Sequence, residues 1–128
     1  GPHRIGFATD MGSLRRGVID RLRSCRAVLL EFNHDEHLLW AGDYPDFLKE
    51  RVAGDRGHLS NRQGAELLAA LGGSRVEHVV LGHLSEQNNE PALALQAARQ
   101  GLQATPGFRP TIAVAAQDRA TPPIALTD

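Results

Sequence analysis

VEHVVLGHLSEQNN, residues 76–89, decides the fold. Its opening six residues are dominated by valine and leucine, which predicts a buried strand over residues 76–81. The strand runs through Gly82 into His83 and a polar loop, so it delivers an imidazole at its carboxyl end, where open α/β sheets gather functional groups. Downstream, Asn89 as N-cap with Pro91 opens a helix to about residue 103, and residues 111–116 read as a last strand. Upstream, Ser60 and Gln63 form a capping box ahead of Ala65, Leu67, Leu68 and Leu71, and Gly72-Gly73 stops that helix.

Further back, residues 4–9 predict a strand ended by Asp10, and residues 27–32 a second buried strand. Between them Leu14, Val18 and Leu22 recur at four-residue spacing over a helix at 14–23, with Ser13 as its expected N-cap. Helices at 36–41 and 46–52 flank the turn Gly42-Asp43-Tyr44-Pro45. The order β-α-β-α-α-α-β-α-β predicts a layered α/β sheet rather than a bundle or a sandwich of two β-sheets.

A chain of 128 residues fits one domain, and no apolar run approaches the roughly 18–20 residues that would span a bilayer. One cysteine, Cys25, excludes an intrachain disulfide, and with no signal-peptide pattern at the start this points to a cytoplasmic setting. A formal charge of −1 supplies no global field for nucleic acid, so any phosphate binding has to be local. Arg15, Arg16, Arg21, Arg23 and Arg26 cluster, and they read as a solvated helix face. Gly1, Pro2 and His3 look like a tag remnant, residues 4–117 like the folded part, and residues 118–128 like an extended tail.

Gly-His-Leu-Ser occurs twice, at residues 57–60 and 82–85, each time placing a histidine at an element boundary. Its flanks match at no fixed period, which excludes an internal repeat. Three strand-end loops then collect Asp10, the cluster Glu31, Asn33, His34 and Asp35, and His83 with Ser85, Glu86, Asn88 and Asn89; His58 joins from the loop before the capped helix. Imidazole and carboxylate suit zinc, manganese or iron, although the spacing alone names no metal site. Asn33, His34, Asp35 and Asn88 are open to two readings, contacts to substrate or metal ligands on one hand and a network of loop hydrogen bonds on the other. His37 and His78 read as surface residues and Trp40 as a packing residue.

GFATD-MGS, LLEFNHD, YPDFLKERV, GHLSN and VVLGHLSEQNN together resemble, in that order, the C-terminal half of YycJ-like (WalJ-like) proteins of the metallo-β-lactamase superfamily. The resemblance covers about residues 4–117. It implies the C-terminal half of a four-layer αββα sandwich, with one mixed sheet and helices on its outer face. It also implies a metal-dependent phosphodiesterase, an exonuclease on DNA, working with two divalent ions, zinc or manganese. On that likeness Asp10 and His83 are metal ligands, Asp10 bridging the pair, and His58 is the catalytic residue beside the scissile phosphate, with Asn33, His34, Asp35, Ser60 and Asn88 as supporting residues.

The chain departs from the family pattern at Met11 and Phe32, and the motif HxHxDH, which supplies most of the family's ligands, is absent. Two protein ligands hold a metal weakly, because such sites use at least three donors. The expectation is therefore a chain inactive alone, whose partner is the N-terminal half. The alternative is a half-fold that pairs with a second copy of itself through the sheet face left bare.

Overall fold

The computed structural model describes residues 3–9 and 11–115. Its elements follow the expected order: β1 (Ile5–Ala8), α1 (Arg16–Leu22), β2 (Ala27–Glu31), α2 (Glu36–Ala41), α3 (Asp46–Ala53), α4 (Asn61–Ala69), β3 (His78–Gly82), α5 (Pro91–Gln103) and β4 (Thr111–Val114). The expected tag residues 1 and 2 and the tail at 118–128 lie outside the described residues.

The four strands form one sheet in the order β1-β2-β3-β4, and every neighbouring pair is parallel. This corrects the expectation of a mixed sheet, at least among the described residues. Each pair of successive strands is joined through at least one helix, and such connections return the chain to run parallel rather than turning it back. Because crossovers of this kind are right-handed and the strand order never reverses, the helices that pack on the sheet, α1, α4 and α5, fall on one face.

The register shows the two faces directly. Ala8, Leu30, Leu81 and Val114 share one row, Val28, Val79 and Ile112 another, and Leu30, Val79 and Leu81 are fully buried beneath the helices. The intervening row carries Phe7, Leu29, Val80 and Ala113. On that side no element covers the sheet among the described residues, and Ile5 and Phe7 are 60% and 70% exposed.

Helix α4 is set by its predicted box: Gln63 N donates to Ser60 Oγ at 3.1 Å, and Ser60 N to Gln63 Oε1 at 2.9 Å. Phe32, wholly buried, packs where Gly64 has no side chain; a Cβ there would stand 2.7 Å from the ring. Two other expected caps differ. Helix α1 begins after Arg15 without a side-chain bond, and α5 after Glu90 with Pro91 in its first turn.

Asn89 is drawn inward instead. It exchanges hydrogen bonds with Asn61 at 2.8 and 2.9 Å and donates to Phe32 O at 2.8 Å. The arginine cluster also divides: Arg23 donates to Ala70 O and Gly72 O at 2.7 and 2.9 Å, and Arg26 pairs with Glu77, whereas Arg15, Arg16 and Arg21 are exposed. Trp40 is 49% exposed, less a packing residue than its type implied.

Candidate active site

The carboxyl ends of β2 and β3 lie side by side, with Glu31 opposite Gly82 in the register. Glu31 ends an apolar strand and is completely buried, an arrangement a carboxylate tolerates only with partners. It has three. Its Oε2 accepts from His58 Nδ1 at 2.8 Å and from His83 Nδ1, and its Oε1 accepts from the Leu59 amide at 3.2 Å. The two imidazoles stand edge to face with centroids 5.1 Å apart, His58 one third exposed and His83 rather more.

Both histidines line a cleft of about 340 Å³ with Asn33, Tyr44, Ser85 and Asn88. A carboxylate that holds the Nδ1 proton of a neutral imidazole leaves Nε2 as the nitrogen bearing the lone pair. His83 reaches this position by adopting φ of 59°, which is uncommon for a residue with a side chain and collects at functional sites.

The loops are locked around the pair. Asn33 Nδ2 donates to His83 O at 2.9 Å, Ser85 N to Asn33 O at 2.8 Å, and Asn33 N to Leu59 O at 3.0 Å. Asn33 thus ties together the strand ends that carry Glu31 and His83 and the loop that carries His58. Since its amide nitrogen faces a carbonyl, Asn33 Oδ1 is the acceptor for His34 Nδ1 at 3.2 Å. His34 is 1% exposed, and burial pushes its pKa below the ordinary value, against the attraction of Glu36.

The sequence expectations distribute unevenly over this geometry. His58 and His83 are brought together, and Asn33 and Asn88 line their cleft. His34 lies buried beneath the loop and forms a parallel bridge with Ser60, Asp35 caps α2 by accepting from Leu38 N at 3.0 Å, and Ser60 caps α4. Asp10 falls outside the described residues. Glu31 was visible only as part of a polar cluster, and its one sequence signal is a carboxylate closing the run AVLLE. Tyr44 in the cleft wall had no such signal.

One ligand atom from each of Glu31, His58 and His83 lies within 4.8 Å of the others, so the three could hold a divalent ion. Two imidazoles and a carboxylate are a donor set that zinc accepts, which makes the residues chemically fit for the metals expected.

Sheet and site together define an α/β protein whose strand ends present two histidines on a shared buried carboxylate. No family model matches the chain. It is 40% identical over 86 residues to exodeoxyribonuclease WalJ from two strains of Streptococcus pneumoniae, covering 67% of this chain and 32% of the relative. It is 31% identical over 100 residues to exodeoxyribonuclease YycJ of Bacillus anthracis, covering 78% of this chain and 38% of that protein. Over this stretch the chain belongs to the YycJ/WalJ-like family. It spans about a third of the length of the curated relatives it matches.

Proposed function

We propose that this chain forms one wall of the active centre of a metal-dependent phosphodiesterase, an exonuclease acting on DNA. The carrying observation is Glu31, which holds His58 and His83 together at the mouth of one cleft. The names of the relatives support the nuclease reading, and the absence of a membrane-spanning helix among the described residues is compatible with the cytoplasmic setting expected of it.

In this reading His83 and Asp10 are the ligands this chain contributes, and the HxHxDH motif belongs to sequence outside it. Bound divalent ions would neutralise phosphate charge and orient the attacking group. His58, when protonated on Nε2, donates that proton to the leaving oxygen, while Glu31 accepts its Nδ1 proton and fixes its aim. Asn33 keeps the two histidines in register from beneath. The bare face of the sheet is where the second half of an αββα sandwich would pack.

With manganese added, the chain alone should release no nucleotides from end-labelled DNA; metal-dependent turnover by it would overturn the two-half reading. In the full-length parent, His58→Ala should lower kcat on the order of 10²–10⁴-fold with a smaller effect on KM. An unchanged kcat would remove His58 from the chemistry.

The 60% and 70% exposure of Ile5 and Phe7 favours a second reading in which two copies pair through the bare face. Light scattering on the eluted peak of a sizing column separates the cases, since a clean monomer removes the homodimer.

A further inference from the structure

Beside the catalytic cleft lies a second one of about 420 Å³, lined by Leu48, Arg51, Val52, Arg56, Gly57 and His58. The two clefts share Val52 and His58, so the imidazole stands at the junction between them. We propose that this second cleft holds a backbone phosphate of the polynucleotide strand, adjacent to the phosphate that meets His58, with Arg51 and Arg56 as its donors. The proposal rests on the nuclease reading above and adds a path for the strand.

Three observations support it. First, the backbone around the two arginines is fixed. His58 N donates to Val52 O at 2.9 Å, Gly57 N to Gly54 O at 2.9 Å, and a Cβ on Gly57 would stand 2.2 Å from the carbonyl oxygens of Arg51 and Val52. Only a glycine lets the loop pass this close to the end of α3, and that passage brings Arg51 and Arg56 to line one cleft with His58.

Second, the guanidiniums are uncommitted. Arg23, Arg26 and Arg62 are engaged with carbonyls or carboxylates, whereas Arg51 and Arg56 make no hydrogen bond or ion pair among the described residues and both are exposed. The carboxylates nearest in sequence, Glu50 and Asp55, are exposed as well and paired with neither. The end of a helix attracts a cation, which accounts for Arg51 in the last turn of α3 but not for Arg56 in the loop beyond it.

Third, the chain carries a net charge of −1, so a polyanion finds no general attraction and needs local cations beside the site. A guanidinium matches the oxygens of a phosphate with two parallel donors, which suits a fixed subsite better than a point charge would.

The test is binding of 3′-fluorescein-labelled oligothymidylate to the full chain in EDTA, read by anisotropy across a salt series. For two lost phosphate contacts on a single strand, Arg51→Gln with Arg56→Gln should lower the slope of log K against log salt by about 1.4. Arg75→Gln with Arg109→Gln, both exposed and ahead of β3 and β4 at the amino end of the parallel sheet, should leave the slope within error. Equal slopes for the wild type and the Arg51/Arg56 variant would overturn the subsite and leave the nuclease reading standing. So would an equal loss in the Arg75/Arg109 variant, which would mean a diffuse charge effect. Failure of the wild-type chain to bind the oligonucleotide would count against the nuclease reading itself, and the subsite would fall with it.

Discussion

Three positions separate Glu31 from His34, and both are almost wholly buried, yet their surroundings differ. Glu31 meets two imidazoles and an amide, whereas the bonded partner of His34 Nδ1 is the neutral oxygen of Asn33. Desolvation therefore lowers the pKa of His34, helped by His58 and opposed by Glu36, Glu31 and Asp35. The folded protein then binds fewer protons at this position than the unfolded chain just below the ordinary value of 6.5. Its contribution is complete above that value and is lost as pH falls through the lowered one. Denaturant titrations should show stability declining below pH 6.5, and His34→Gln should flatten that part of the curve; an equal slope in the variant would contradict the assignment. Reading at this scale from sequence found the histidines because a repeated tetrapeptide marked them. It passed over Glu31 as their anchor because 27 and 52 positions separate the partners, and tertiary contacts alone bring them together, the β2–β3 register for His83 and the loop before α4 for His58.

At the scale of elements, α4 was legible down to its first hydrogen bonds, since a capping box is a local device written in four consecutive residues. Helices α1 and α5 were legible in extent but not in their caps. Asn89 satisfies every local rule for an N-cap and is claimed instead by Asn61 and Phe32 O, a tertiary demand that no local pattern encodes. Phe32 illustrates the same limit. Its departure from the family pattern is accommodated across the fold, because Gly64 on α4 leaves the space that receives the ring. Gly64→Ala should consequently cost about 1–3 kcal/mol by overpacking, although alanine is the better helix former. Chemical denaturation measures this directly, and Phe32→Leu in the same chain should recover part of the loss, because the two changes share one contact. A neutral or stabilising Gly64→Ala would show that the ring has room to move.

Across the whole molecule, the element order was readable because buried apolar strands alternate with amphipathic helices. The direction of the strands was not, because a mixed sheet came with the family resemblance while the helical connections between strands yield a parallel one. The sheet has one covered face and one bare face, and Phe7 is the most exposed large apolar side chain of the bare one. Phe7→Lys should leave thermal stability within about 0.5 kcal/mol, as surface changes usually do, while reducing any self-association seen by light scattering. Loss of folding on this change would mean that Phe7 is held inside the single chain. Strand order equal to chain order has a consequence for synthesis. As the polypeptide leaves the ribosome, each strand finds its neighbour already made, so the helical layer and the strand-end centre can assemble in sequence. The uncovered apolar row is present from the first paired strands onward and is still bare in the folded chain, so aggregation threatens from early synthesis until something packs on that face.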